Sequence, residues 1–293
     1  MSADKPRNGK ETRGTGVSLF RPGQTQPAAA LPQDLQHRQS DDDRAGRLPP
    51  IFASPARVWE SLSATTLPAA AALAEAGIFT TASEHPAAAA FDILRTRLLH
   101  GLAERNWHRI GVTSPTHGCG KSFVATNLAL SLARRPSSRI VLIDLDLRHP
   151  EIARLLRIDE DRALGEFLSG DQPLESNFRR YGQTLALGLN AAPVERASET
   201  LHDPATFNAL ADVIDQLDPE VVLYDLPPVL VNDDVLAMGP NLDAVLLVTD
   251  GTRSSPDEIR AAEKMLEGRI PLMGVVLNRA QDFSAGRYRY AKK

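Results

Sequence analysis

The feature that most restricts how this chain can fold is an apolar run that enters a glycine-rich loop and continues into a helix. Residues 109–114 read RIGVTS, the loop continues as PTHGCG, and residues 121–135 read KSFVATNLALSLARR. A strand, a glycine loop, a lysine and a helix in this order are typical of a phosphate-binding loop. Lys121 and Ser122 fit the end of the pattern G-x-x-x-x-G-K-[ST], whereas Pro115 stands where the first glycine is usual.

The chemistry of such a loop depends on its backbone. Gly118 and Gly120 let the chain curl so that successive N–H groups point at a phosphate, and the helix N-terminus adds to that field. Lys121 can reach the β- and γ-phosphates and Ser122 can ligate Mg²⁺. A plain glycine turn before a helix is the alternative. The predicted nucleotide-binding loop residues are Gly118, Cys119, Gly120, Lys121, Ser122 and Phe123.

The rest of the chain predicts the sheet around this loop. Short apolar runs typical of strands buried on both faces recur as RIGVTS, RIVLID, TLALGL, VVLYDL, DAVLLVT and LMGVVLN. Helix-length segments separate them, so we expect βαβ crossovers and a mostly parallel, doubly wound α/β sheet. The predicted domain spans residues 77–282. Residues 1–76 are predicted to be a largely disordered extension and residues 283–293 a flexible tail. The Ala-rich stretch that begins at Val58 could form short helices, and its composition does not decide whether it packs on the core or binds a partner.

Composition limits the possible binding partners and the cellular location of the chain. The net charge of −4 gives no general attraction to nucleic acid, and no apolar run approaches the ~20 residues of a membrane-spanning helix. The single cysteine, Cys119, fits a reducing compartment, and the first residues lack a secretory signal, so a cytoplasmic location is expected. Within the loop, Cys119 is either a small residue that fits or a thiol of lowered pKa.

Three carboxylates follow predicted strands. Asp144 and Asp146 come at the end of VLIDLDLRHP, two residues apart, and Asp225 ends VVLYDL. Ligands of open α/β sheets bind at the carboxyl edge, where a carboxylate such as Asp225 would hold Mg²⁺ through water. Each acid alone could instead cap a helix or form a turn, Asp146 in particular.

These motifs carry a family resemblance. SPTHGCGKS, VLIDLDLRHP and VLYDLPPVL resemble the Walker A, A′ and B motifs of bacterial tyrosine kinases, the polysaccharide-associated group of P-loop ATPases related to MinD and ParA. The resemblance implies that Ser122 and Asp146 place Mg²⁺, that Asp225 supports its water shell, and that Asp144 orients or deprotonates the incoming tyrosine hydroxyl. GVVLNRA is similar to the last core strand of that family, which implies that Asn278 and Arg279 lie near adenine.

Two sequence features bear on whether the chain is more similar to the switch ATPases or to the tyrosine kinases. MinD/ParA-like switch ATPases carry a second lysine five residues before the first, and Thr116 occupies that position here. The tyrosine kinases usually end in a tyrosine cluster, and Tyr288 and Tyr290 lie in the tail. An ordinary polar tail is the plainer interpretation. The kinase family's E-x-x-R-x-x-R pattern aligns with Ala89, Asp92 and Arg95, so it keeps only its last arginine.

The resulting prediction is an ATP- and Mg²⁺-dependent, autophosphorylating protein-tyrosine kinase of exopolysaccharide or capsule synthesis, whose phosphoacceptors are Tyr288 and Tyr290. The resemblance implies a membrane-embedded chain-length regulator (polysaccharide co-polymerase) as activator, homo-oligomers, and recruitment to the inner face of the plasma membrane by that partner. A nucleotide-switched ATPase of the MinD/ParA type and a non-catalytic nucleotide-binding regulator of polysaccharide export are the alternatives.

Overall fold

The computed structural model of the chain describes residues 21–22, 54–81 and 85–280. Its strands are β1 (Arg21–Pro22), β2 (Ser63–Thr65), β3 (Arg109–Thr113), β4 (Ile140–Asp144), β5 (Phe178–Tyr181), β6 (Leu185–Gly188), β7 (Val221–Asp225), β8 (Ala244–Asp250) and β9 (Leu272–Asn278). Its α-helices are α1 (Pro55–Ser61), α2 (Ala70–Glu75), α3 (Pro86–Arg105), α4 (Lys121–Ala133), α5 (Ile152–Leu156), α6 (Leu164–Leu168), α7 (Leu174–Asn177), α8 (Ala197–His202), α9 (Pro204–Leu217), α10 (Asp234–Ala237) and α11 (Pro256–Leu266).

The strands form one sheet in the order β1-β9-β8-β3-β7-β4-β6-β5-β2. The six strands from β9 to β6 are parallel to their neighbours, and antiparallel pairing occurs only at β1–β9 and β5–β6 among the described strands. The predicted mostly parallel, doubly wound sheet is therefore confirmed, with all six predicted strands in it. The short strands β1, β2 and β5 at its margins were not predicted.

Burial on both faces explains why the central strands read as continuous apolar runs. In β4, Val141 and Ile143 join one hydrophobic cluster, whereas Ile140 and Leu142 join the other on the opposite face. The first cluster includes residues of α9 and α11, and the second includes residues of α3 and α4. Because side chains alternate along a strand, a strand between two helical layers needs apolar residues at every position.

The expected boundary at residue 77 requires correction. Within the predicted disordered extension, Trp59 and Leu62 pack into the first cluster and Leu73 is fully buried in the second. β2 also adds to the sheet by pairing with β5. Burying two leucines and a tryptophan favours ordered structure, so the packed fold includes residues 54–76. Of residues 1–53, only 21–22 lie within the described part of the chain.

The topology brings three motifs to one edge of the sheet. β3 lies between β8 and β7, and β7 lies between β3 and β4. The register pairs Asp144 at the end of β4 with Asp225 at the end of β7. β3 ends at Thr113, immediately before the glycine loop. Neighbouring parallel strands thus place the loop and both carboxylates at a shared carboxyl edge, where open α/β sheets bind ligands.

Candidate active site

The glycine loop has the backbone geometry of an anion cradle. Gly118 and Gly120 take the positive φ values of 79° and 88° that side chains disfavour. Gly120 is the residue before α4 and offers no side chain to cap that helix, whereas Ser255 caps α11 through a capping box. The first N–H groups of α4 are therefore left for a ligand rather than for a cap.

Pro115 lies in a part of the loop that is held through backbone carbonyls. Its carbonyl accepts the N–H of Leu230 at 3.2 Å, and the carbonyl of Ser114 accepts the N–H of Val229 at 2.9 Å. The Thr113 hydroxyl donates to the Pro227 carbonyl at 2.6 Å. The start of the loop is thus held against the segment after β7 through its carbonyls, and the N–H that proline lacks is not needed there.

Lys121 points into the carboxylate cluster. Its Nζ lies 2.8 Å from Asp146 Oδ2, 3.3 Å from Asp225 Oδ1 and 2.9 Å from Ser122 Oγ. Burial acts to lower the pKa of Lys121, but the charges of Asp225 and Asp146 outweigh it and raise that pKa. The predicted loop lysine, loop serine and two of the three carboxylates therefore surround one cationic group.

Asp225 and Asp144 are both completely buried. Burial raises the pKa of Asp225 to about 6, although Lys121 opposes the shift. Burial, reinforced by the neighbouring charge of Asp225, raises the pKa of Asp144 well above its usual value. Two carboxylates in adjacent strands without equal compensation hold protons more tightly than carboxylates in water do.

Asp144 differs from the other two acids in its contacts. Its Oδ2 accepts the N–H groups of Glu151 and Ile152, both at 3.1 Å, at the start of α5. Its Oδ1 is buried and has no hydrogen-bond partner among the described residues. The Asp144 backbone carbonyl accepts a bond from Asn190 at 2.8 Å, which fixes the end of β4. The free Oδ1 is the atom that could accept a further proton.

Asn278 and Arg279, predicted near adenine, contact the outside of the loop. Asn278 Nδ2 donates to the Cys119 carbonyl at 2.9 Å, and an Arg279 amino group donates to the Gly118 carbonyl at 2.9 Å. The same group of Arg279 donates to Asp250 Oδ2 at 2.6 Å. These contacts hold the loop from the β9 side; an adenine contact stays a prediction.

Asp250 is a site-supporting residue that the sequence reading missed. It ends β8 and its carboxylate accepts bonds from the Thr252 N–H and hydroxyl and from Arg279. Burial acts to raise the pKa of Asp250, but these hydrogen bonds outweigh it and lower the pKa to about 2. Its position at a strand end is the same signal that identified Asp225, so the β8 motif could have been found by extending that argument one strand further.

Two other predicted loop residues serve packing through their side chains. The Cys119 thiol is 3% exposed and donates to the Thr116 carbonyl at 3.3 Å. This favours the interpretation that Cys119 is a small packing residue and not a reactive thiol. The Phe123 ring packs edge-on against Phe91 with centroids 5.9 Å apart. Neither side chain joins the carboxylate cluster, so any nucleotide contact from these positions would come from the backbone.

The predicted phosphoacceptors Tyr288 and Tyr290 lie outside the described residues. Of the two other tyrosines, Tyr224 is completely buried in β7 and Tyr181 is partly buried in β5. Arg95, the one arginine kept from the kinase pattern, donates to Asp92 and to the Ser131 carbonyl within its own chain. No helix in the described ranges combines the length and hydropathy of a membrane span.

Comparison with known proteins identifies the family of the chain. A family model described as ParA, NUBPL iron-transfer P-loop NTPase, matches residues 106–285. EpsB of Ralstonia solanacearum, whose name includes "tyrosine-protein kinase", is 32% identical over 215 residues, which are 72% of this chain and 28% of EpsB. The chain therefore spans less than a third of that relative's length.

Solved structures give fuller coverage. The crystal structure of the VpsO kinase domain is 30% identical, with a TM-score of 0.58, and the match covers 66% of this chain and 94% of that domain. The BceF tyrosine kinase domain is 27% identical, with a TM-score of 0.60, and the match covers 76% of this chain and 96% of that domain. Because the family model matches more than half of the chain, the chain belongs to the ParA family of P-loop NTPases and, within it, groups with bacterial tyrosine-kinase domains.

Proposed function

We propose that this chain is an ATP-dependent protein-tyrosine kinase that phosphorylates Tyr288 and Tyr290 of its own kind and regulates exopolysaccharide or capsule synthesis. The observation that carries the proposal is the Lys121 ammonium held between Asp146 and Asp225 beside the glycine loop. Phosphoryl transfer depends on positioning and on charge neutralisation more than on covalent chemistry, and this cluster supplies both. The kinase domains among its relatives support the reaction class.

In the proposed reaction, Lys121 and the first N–H groups of α4 bind the nucleotide phosphates. The phosphates compete with Asp146 and Asp225 for the ammonium, because one cation now serves both carboxylates. When Lys121 turns toward the phosphates, the carboxylates of Asp146 and Asp225 at the sheet edge lose the cation that neutralised them. That exchange couples nucleotide binding to the readiness of the carboxylates for a metal ion.

The residues present fit Mg²⁺. The Ser122 hydroxyl and the Asp146 and Asp225 carboxylates already surround a cation, the Lys121 ammonium, and oxygen ligands are those that Mg²⁺ prefers. Ser122 and Asp146 would hold the ion, and Asp225 would orient its water shell. Mg²⁺ neutralises charge on the transferring phosphoryl group. The described residues include no group of three or more His, Cys, Asp or Glu that could hold a metal by itself, so phosphates and water would have to complete the shell.

Asp144 is our candidate to orient or deprotonate the tyrosine hydroxyl. Its unpartnered Oδ1 is available to accept the proton. Its raised pKa makes it a stronger base than an exposed carboxylate, which matches the task of taking a proton from a phenol. The hydrogen bonds that Oδ2 accepts from the start of α5 keep the carboxylate in one orientation.

The setting of the kinase is part of the proposal. We infer a homo-oligomer, in which the tail of one copy enters the site of another, and a membrane-embedded chain-length regulator as activator that brings the kinase to the inner face of the plasma membrane. The resemblance of the three motifs supports this setting. A pull-down of the chain with a co-expressed regulator, with and without ATP, would test it.

The test of the reaction is incubation of the purified chain with ATP and Mg²⁺, followed by phosphotyrosine mapping by mass spectrometry. We expect modification at Tyr288 and Tyr290. ATP hydrolysis coupled to dimerisation without phosphotyrosine would indicate a switch ATPase of the ParA type, and nucleotide binding with neither would indicate a regulator. Thr116, in the position of the second lysine of those switches, disfavours the first of these outcomes.

A further inference from the structure

A cleft of about 500 Å³ lies away from the phosphate loop, between α9 and the segment that joins α6 to α7. The residues that α9 contributes follow one helical face, at three- and four-residue intervals: Ala205, Asn208, Ala209, Asp212 and Gln216. The buried side chains of Phe167 and Leu174 form part of its floor. From Ala205 to Gln216 the helix rises roughly 16 Å, so the cleft is long enough for several residues of an extended peptide.

The charge of this cleft is one-sided. Asp171, Glu175 and Asp212 line it, and no lysine, arginine or histidine does so among the described residues. None of the three takes part in an ion pair within the described ranges, and the hydrogen bond from Ser169 to Asp171 brings no positive charge. Carboxylates that face one cleft repel one another, so the cleft favours a cationic occupant.

One end of the cleft lies on the same edge of the sheet as the nucleotide site. α9 begins at Pro204, directly after α8, and Ser198 of α8 accepts a bond from Arg148 at 3.0 Å. Arg148 is two residues from Asp146. Asp234 accepts bonds from both Arg148 and Ser198 and ties this junction together. A peptide in the cleft would therefore emerge at the N-terminus of α9 and continue toward the carboxylate cluster.

We propose that this cleft binds residues 283–293 of a second copy of the chain and so delivers that copy's tyrosines to the active site; the inference rests on the proposed kinase function and names how its substrate is recognised. The segment reads FSAGRYRYAKK and carries four basic residues and no acidic one. Lys292 and Lys293 fit the acidic cleft. Tyr288 and Tyr290, a few residues earlier, then lie toward its active-site end.

The sheet order explains why the occupant belongs to a second copy. The segment follows β9, and α9 makes the crossover from β6 to β7, which places it near β4. Four strand spacings, roughly 19 Å, separate β9 from β4. A chain's own tail would have to cross the carboxyl ends of β8, β3 and β7, over the phosphate loop itself. A neighbouring copy can enter the cleft without covering the nucleotide.

Binding of a fluorescein-labelled peptide of residues 283–293, measured by anisotropy, tests the cleft without nucleotide. The receptor is the full chain carrying Arg287→Gln, Arg289→Gln, Lys292→Gln and Lys293→Gln, so that its own tail does not compete. We expect Asp171→Asn, Glu175→Gln and Asp212→Asn together to weaken binding about tenfold, and added salt to weaken binding to the unaltered cleft. The matched control, Asp215→Asn, Glu263→Gln and Glu267→Gln at exposed positions outside the cleft, should bind as the parent does. Equal affinity in the two triple variants would overturn the proposal.

Carbodiimide cross-linking of mixed light and heavy isotope-labelled wild-type chains identifies the donor. We expect Lys292 or Lys293 joined to Asp171, Glu175 or Asp212 in peptides of mixed isotope composition. Cross-links only within one isotope would overturn the second-copy occupant, and cross-links only to acids elsewhere would overturn the cleft. The kinase itself is tested separately: phosphotyrosine at a wild-type KM for the tail in the cleft variant contradicts the docking alone, whereas peptide binding without any phosphotyrosine contradicts the kinase alone.

Discussion

The ammonium of Lys121 lies 2.8 Å from the carboxylate of Asp146, and both side chains are almost inaccessible to water, at 10% and 2% exposure. One lysine thus compensates a cluster of three buried carboxylates, Asp144, Asp146 and Asp225. The same lysine is the residue that the glycine loop presents to a nucleotide. Stability and phosphate binding therefore depend on one charge.

Removing the charge of Lys121 should affect stability and phosphoryl transfer to different extents. Lys121→Met should abolish phosphoryl transfer while leaving the fold intact. The variant should also lose stability as the pH rises, because carboxylates without their cation keep a raised pKa in the folded state and resist ionisation. We expect a loss of about 1–3 kcal/mol at pH 8 and a smaller one at pH 5. Circular dichroism during urea unfolding and a radiolabelled ATP assay measure the two effects; wild-type transfer by this variant would mean that the site is misplaced.

The two acids after β4 should act differently. Asp146→Asn removes the contact with Lys121 and a proposed metal ligand, so Mg²⁺ dependence and activity should both weaken strongly. Asp144→Asn should reduce turnover with a smaller effect on ATP affinity, if Oδ1 serves the tyrosine hydroxyl. Titration of nucleotide binding beside turnover measures the split, and identical profiles for the two variants would remove the division of roles.

The loop conformation can be tested with a pair of glycines. A Cβ on Gly120 would lie 2.2 Å from Nδ2 of Asn278, whereas a Cβ on Gly170 would meet nothing within 4 Å. Both residues have similar positive φ, 88° and 81°, so each alanine variant should lose about 1 kcal/mol of stability from backbone strain. Only Gly120→Ala should lose nucleotide affinity, as measured with a fluorescent ATP analogue. Equal affinities for the two variants would show that the Asn278 contact does not shape the loop.

Asp250 should stabilise the fold at neutral pH. Its pKa is lowered to about 2 in the folded protein, so its contribution is present above the ordinary pKa near 4 and is lost as the pH falls through about 2. Asp250→Asn should therefore lower the free energy of unfolding by about 2 kcal/mol at pH 7 and by less at pH 2.5. Asp218→Asn, at a 78% exposed acid 3.7 Å from Arg139, is the control that should change little. A pH-independent difference for Asp250→Asn would contradict this account.

How far the sequence predicts this molecule depends on how local the signal is. Lys121, Asp144 and Asp225 follow strands whose apolar runs are continuous, and the parallel order of those strands places all three at one edge without further information. The loop departure at Pro115 could also be accepted, since the phosphate amides lie nearer the lysine. What the pattern could not give is that Pro115 is held by its carbonyl to Leu230, because that contact spans more than a hundred residues.

The misplaced and missed features are non-local in the same way. Trp59 and Leu73 lie in an Ala-rich stretch without a clear period, and only packing against the core determines that they are buried. The bond from Arg279 to Asp250 joins residues 29 apart at the ends of two neighbouring strands. Asp144 was identified by its motif, yet its hydrogen bonds to the start of α5 depend on how the turn after the strand folds back.

Phosphorylation of one copy's tail by another copy is tested most directly by a mixing experiment with mass spectrometry. Chains carrying Tyr288→Phe with Tyr290→Phe keep an active core, and Lys121→Met chains, isotopically labelled, keep both acceptor tyrosines. After mixing with ATP and Mg²⁺, we predict phosphotyrosine at Tyr288 and Tyr290 of the labelled Lys121→Met chain. The double phenylalanine variant alone should lose most phosphotyrosine, since Tyr224 is completely buried. An unchanged amount of phosphotyrosine in that variant, or phosphate found only on Tyr181 or Tyr224, would contradict phosphorylation of the tail.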